Sequence, residues 1–224
     1  MEKCNWYKCV LFDMDGTLVN SYEGIFHAYR WTMEQMGRDF GGDEFVRRAI
    51  GAPLIWVFEN LCGMDRAGAE AAAACYRTYY AEKGKLQASV YDGVEKTLRR
   101  LKEAGCFLGV ATLKKDIFAK EMLDALGLLS YFDMVSGMDA DDSLTKADLI
   151  RRCMQAAMSE KKETILVGDS AFDAAGAREA GTAFLAVTYG FGFQDPEQAK
   201  EAGAVLVAET AGKIADLLCD TGEG

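Results

Sequence analysis

The sequence predicts an α/β protein: a doubly wound parallel sheet that carries an inserted helical segment. Three observations predict it. From Tyr91 onward, short apolar and β-branched runs alternate with segments whose apolar residues recur at helical spacing. Those runs are too apolar to be half-exposed, as strands are when helices cover both faces of a parallel sheet. A first run of the same kind, residues 8–12, is cut off from the next by residues 21–86, which carry almost no strand signal.

Taken in order, residues 8–12 (KCVLF) form the first strand. Residues 21–86 read as about four helices, with boundaries near 37–42, 51–53 and 63–65, where Gly, Pro and Asp gather. The alanine run 69–74 suits a closely packed helix. Beyond it, strands are expected at 106–112 (CFLGVAT), 134–137, 164–169 (TILVGD), 182–189 and 204–208. Between them, helices are expected at 92–105, 116–128, 145–158 and 171–181, several of which follow a capping residue type and end at Gly. Strand and helix in alternation imply a doubly wound sheet. The domains expected are therefore a core of residues 1–20 and 87–224 and an inserted helical unit of residues 21–86.

A chain of 224 residues, half of them hydrophobic, can bury one sizeable core or a core domain with a smaller companion. Its net charge of -10 is spread along the chain, which argues against nucleic acid or an anionic membrane as partner. Such a protein can still bind phosphate if it recruits a cation. The first ten residues mix charges with apolar side chains and do not read as a signal peptide, and no later stretch is long and apolar enough to span a bilayer. The seven cysteines are odd in number and form no C-x-x-C pair, which argues against a disulfide framework or a structural zinc site and for a cytoplasmic location.

The strongest chemical signal is Phe12-Asp13-Met14-Asp15-Gly16-Thr17-Leu18, directly after a buried strand. Carboxylates two apart in extended chain point into the same space, and ligands of open α/β sheets bind at the carboxyl ends of strands. Two such groups together call for a cation or a shared proton. At this point an acidic turn closing the strand, with Gly16 making the bend, explains the pattern about as well. Val167-Gly168-Asp169-Ser170-Ala171-Phe172-Asp173 repeats the theme: Asp169 and Asp173 can converge on a hard cation, or Asp169 can cap the next helix while Asp173 favours its dipole. Thr112, read at the end of its strand, offers a hydroxyl and neighbouring amides to phosphate oxygens, or simply caps a helix. Lys146 at a helix start is placed against the dipole, which suggests an anionic partner, or is simply a solvent-exposed lysine.

In this order, D-x-D-G-T-L, a strand ending in Thr, Lys, and G-D-x-x-x-D, the chain resembles the haloacid dehalogenase superfamily, in its phosphatase branch similar to phosphoglycolate phosphatase. The resemblance covers nearly the whole chain, including the helical cap inserted after the first motif. It implies a HAD-like Rossmannoid core and a magnesium-dependent phosphatase acting on a small phosphorylated metabolite. By resemblance Asp13 is the nucleophile and Asp15 the general acid and base. Thr112, the Leu113 amide and Lys146 hold the phosphoryl group. Asp13, the Asp15 carbonyl and Asp169 ligate Mg2+, with Asp173 in support. Two positions depart from the family pattern: Leu113 stands where Asn or Ser is common, and Asn20 precedes Ser21 where Asp is frequent.

In the helical segment, Arg47, Arg48, Arg77 and Lys85 are the cations a substrate could meet, although surface charge of the ordinary kind explains most of them as well. His27 reads as a packing or surface residue, and Trp56, Phe58, Tyr76, Tyr79 and Tyr80 read as its aromatic core. The loop Tyr189-Gly190-Phe191-Gly192 reads as a turn or as a rim of the site. A phosphomutase resembling β-phosphoglucomutase and a catalytically silent binding protein are the alternatives to a phosphatase.

Overall fold

The computed structural model of the chain describes Lys3, Cys4 and residues 7–220. The chain forms two units, one holding the segments up to Asn20 and from Val90 on, the other Ser21–Ser89. In the first unit, six strands form one sheet: β2 (Cys9–Phe12), β5 (Phe107–Lys115), β6 (Met134–Met138), β7 (Thr164–Gly168), β8 (Ala183–Val187) and β9 (Leu206–Ala208). Their order is β6-β5-β2-β7-β8-β9, and every neighbouring pair is parallel. β1 (Lys3–Cys4) pairs antiparallel with β10 (Cys219–Asp220). β3 (Val19–Asn20) and β4 (Ser89–Val90) mark where the chain leaves the first unit and returns.

All four residues of β2 and all five of β7 are buried, because helices cover the sheet. Leu11, Leu166 and Ala186 of the sheet pack with Leu149, Ile150 and Cys153 of α7 (Lys146–Ala157) and with Ala177 of α8 (Ala171–Ala180). A fully buried leucine such as Leu11 or Leu166 contributes about 1.5–3 kcal/mol relative to exposure. α5 (Val94–Glu103), α6 (Asp116–Ala125), α9 (Pro196–Glu201) and α10 (Ala211–Leu218) complete the α-helices of this unit among the described residues. α9 and α10 lie beyond the helical patterns read from the sequence.

β5 is longer than the sequence suggests. It runs on through Leu113, Lys114 and Lys115, with a break in its register against β6 between Ala111 and Lys115. Thr112 therefore lies inside the strand rather than at its end.

The second unit holds α1 (Tyr22–Gln35), α2 (Gly42–Ala49), α3 (Leu54–Asn60) and α4 (Arg66–Tyr79), and α4 runs into a π-helical turn, Tyr80–Gly84. Tyr29 sits between Phe45, Phe58 and Tyr76, and Tyr76 stacks on Tyr80. Trp56 departs from the expected aromatic core, being 39% exposed, since the short helix α3 turns only Val57 and Phe58 fully inward. His27 Nδ1 lies 3.0 Å from Gln87 Oε1, a local packing contact. Cys9, Cys62, Cys75, Cys153 and Cys219 are free thiols, whereas Cys106 is disulfide-bonded. An odd cysteine count excludes complete pairing, not a single bridge.

Candidate active site

With β5, β2 and β7 adjacent and parallel, the segments that follow them gather along one edge of the sheet. The Asp13 amide still donates to the Val167 carbonyl at 2.8 Å, so the β2–β7 ladder runs through the first aspartate. The chain then folds back on itself, with Leu18 and Val19 N–H donating to the Met14 carbonyl at 2.9 and 3.0 Å. Gly16 makes this turn at φ +85°, and a Cβ there would stand 2.3 Å from Asp169 Oδ2. Only glycine supplies both the left-handed backbone and the space.

Lys146 begins α7 and is 6% exposed. Its Nζ is 2.6 Å from Asp13 Oδ1 and 2.6 Å from Asp173 Oδ1. The anionic partner that its place at a helix start calls for is thus a pair of buried carboxylates. Room for the lysine stem comes from Gly176 of α8, where a Cβ would lie 2.4 Å from Lys146 Cγ. Two capping boxes start the helices that bear these groups. Thr145 and Asp148 cap α7, and Ser170 and Asp173 cap α8. The α8 cap is therefore Ser170, not Asp169 as one sequence reading has it. The Asp169 side chain turns instead to the loop after β8, accepting from the amides of Phe191 at 2.7 Å and Gly192 at 3.1 Å. That loop is pinned by Tyr189, whose hydroxyl donates to the Thr17 carbonyl at 2.7 Å.

The electrostatics are those of acids held in a dry place. Burial pushes the Asp13 carboxyl above its usual range, with Lys146 opposing and Asp173 adding to the rise. Burial also raises Asp169, reinforced by Asp173 and Asp13 and only partly offset by the two loop amides. Burial alone would lower Lys146, but Asp13 and Asp173 outweigh it and hold the ammonium above its ordinary value. Asp13, Asp169 and Asp173 each present an oxygen within 4.8 Å of the others. Asp169 Oδ1 is buried and has no hydrogen-bond partner. A buried carboxylate oxygen with nothing to bind, beside two more carboxylates, fits a hard cation taking oxygen ligands.

Asp15 has a different partner. Both its oxygens are held by Lys114 Nζ, at 2.8 and 3.0 Å. Thr112 is 2% exposed, and its Oγ1 accepts from the Lys114 amide at 3.3 Å. The side chain of Leu113 packs against the core cluster. Every residue to which the resemblance gives a role lies in the first unit, whereas Arg47, Arg48, Arg77 and Lys85 lie in the second. Lys114 was in neither group; ending the strand at Thr112 leaves the next lysines reading as surface charge. Alternation carried two residues further puts Lys114 on the Thr112 side of the strand, and would have found it.

Residues 10–187 match the family model described as haloacid dehalogenase-like hydrolase. The chain is 32% identical over 196 residues to a 5'-nucleotidase of Pseudomonas aeruginosa, covering 87% of this chain and 89% of that one. It is 32% identical over 198 residues to a phosphoglycolate phosphatase of Pseudomonas syringae pv. syringae, covering 84% and 72%. The crystal structure of a predicted phosphatase from Clostridium acetobutylicum superposes with a TM-score of 0.90 at 34% identity, over 95% of this chain and 98% of that one. A match across most of the sheet, in a chain whose acidic motifs meet at one sheet edge, decides the family: the chain belongs to the haloacid dehalogenase-like hydrolases.

Proposed function

We propose that the chain is a phosphatase that hydrolyses a small phosphomonoester, of the size of phosphoglycolate, through an aspartyl phosphate on Asp13. The observation that carries the reading is the Asp13 carboxylate itself. It is buried at the end of the central strand, bonded by a buried lysine and grouped with two further carboxylates. The names of the relatives, a 5'-nucleotidase and a phosphoglycolate phosphatase, both denote phosphate esters.

Asp13, Asp169 and the Asp15 carbonyl would hold Mg2+, with Asp173 in support. Such an ion offsets the repulsion between a carboxylate nucleophile and a phosphate dianion. Asp13 attacks phosphorus, so that a bond from its oxygen to phosphorus forms as the ester oxygen leaves. Lys146 and Thr112 hold the phosphoryl oxygens, together with the Leu113 amide. Asp15 gives its proton to the departing alkoxide and then takes one from the water that attacks the aspartyl phosphate. The products are the alcohol and inorganic phosphate, with both aspartates restored. Residues 21–86 contain none of these groups, and we assign to them the choice of ester.

A panel of phosphate esters assayed for released phosphate in Mg2+ tests the reaction, and mass spectrometry of protein quenched with acid during turnover tests the nucleophile. Turnover of small monoesters with an adduct on Asp13 is expected. A phosphoryl adduct on any other residue would refute the assignment.

A further inference from the structure

We propose that Lys114 is a positioning residue that fixes the direction in which Asp15 presents its carboxyl to the leaving group. The inference rests on the phosphatase reading above. Asp13 and Asp15 are two residues apart and, left to themselves, would repel each other in one small space. The structure gives each its own buried cation. Lys146 takes Asp13 and Asp173, and Lys114 takes Asp15. The Lys114 side chain is 6% exposed and that of Asp15 12%. This pair is therefore screened by little water, unlike surface ion pairs, which are worth little. Nζ straddles both oxygens, at 2.8 and 3.0 Å, so it restricts rotation of the carboxyl as a single contact would not.

The lysine is itself held at its base. The break in β5 register between Ala111 and Lys115 releases this stretch from its β6 partner, and the Lys114 amide donates to Thr112 Oγ1. The proposed acid and the proposed phosphoryl-holding threonine are thus joined through one residue. Buried ion pairs are seldom a gain in stability over apolar side chains of the same size. A directional role accounts for the expense of burying this one.

The test compares kcat/KM on an alkyl phosphate, whose leaving group needs a proton, with kcat/KM on p-nitrophenyl phosphate, whose leaving group does not. Lys114→Met should lower the alkyl value about tenfold or more beyond any loss on the aryl ester, in kcat rather than KM, the size expected when a charge-assisted hydrogen bond that aligns an acid is lost. Lys114→Arg should recover part of the loss. In an Asp15→Asn background, Lys114→Met should cost less than about twofold more, because a residue acting through Asp15 has nothing left to position. If Lys114→Met does not fold, Lys114→Gln keeps one neutral donor and should shift the same ratio by a smaller factor. Equal losses on the two esters would overturn the proposal, as would a full additional loss in the Asp15→Asn background, which would mean that the lysine meets the substrate directly. Failure of the wild-type protein to turn over either ester would overturn the phosphatase reading and this inference with it.

Discussion

Replacing Gly16 with alanine tests whether the turn after the first aspartate and the second acidic motif, which holds Asp169, are built as one piece. At φ +85° an L-residue is strained by roughly 1–2 kcal/mol. The new Cβ would also stand 2.3 Å from Asp169 Oδ2, well inside the 3.0 Å below which such contacts essentially never fall. Asp169 must then retreat, and the oxygen that moves is the one accepting from the Phe191 and Gly192 amides at 2.7 and 3.1 Å. Losing a hydrogen bond to a charged acceptor costs about 1.5–3 kcal/mol, so the whole effect should be about 2.5–5 kcal/mol, its upper end reaching the range of exceptional substitutions. The control is Gly105→Ala, at φ +83° with nothing within 4 Å of the added carbon, which isolates the backbone strain. Urea unfolding of both variants followed by circular dichroism measures the difference, and phosphate release measures what survives of the site. If Gly16→Ala is no less stable than Gly105→Ala, the close approach does not matter and the coupling argued for is absent.

Asp13→Asn should keep the fold and lose at least about 100-fold in turnover, read in a phosphate-release assay beside circular dichroism, because the amide keeps the shape but cannot attack phosphorus. Lys146→Met should lose turnover and also about 3–5 kcal/mol of stability in urea at neutral pH, since it strands two carboxylates, each 2.6 Å from the missing ammonium; wild-type stability in this variant would contradict the assignment. For pH, the raised Asp169 gives the sign: its contribution to stability is complete below its ordinary value of 3.8 and is lost as pH rises through about 8. Metal-free protein should therefore melt progressively lower across that window. Mg2+, which needs the ionised carboxylates, should raise Tm more at pH 8 than at pH 5; an equal rise at both would count against a cation on Asp169. Chelation with EDTA should abolish turnover, and undiminished activity in chelated protein would exclude the proposed Mg2+ requirement.

The sheet was legible because buried parallel strands are continuous apolar runs, and β2 and β7 are such runs. The acids were legible because they follow those strands directly. Lys114 was not, because nothing local distinguishes a lysine carried inward by an irregular strand from one that faces water; the break between Ala111 and Lys115 is a pairing event with β6. For the same reason the contribution of the Tyr189–Gly192 loop, backbone amides aimed at Asp169, carries no side-chain signature. Ser170 rather than Asp169 caps α8; Asp169 Oδ2 is committed to that loop, a long-range fact invisible from the local sequence.

The strand that carries Asp13 lies in the middle of the sheet, and its two neighbours come from far along the chain. Cys9 pairs with Phe107 on one side and with Thr164 on the other. On a ribosome adding about 5–20 residues per second, this strand waits on the order of ten seconds before the second neighbour exists. Such distant pairings slow folding, and until they form, the strand exposes unpaired amides and four apolar side chains. Residues 21–89, which form a separate compact unit, are made within the interval. The segment that carries Asp13 is thus made well before both of its neighbours can secure it. Substitutions that weaken β7 or α8 should therefore show themselves first as low soluble yield in the cell, before any assay of the folded protein registers a defect.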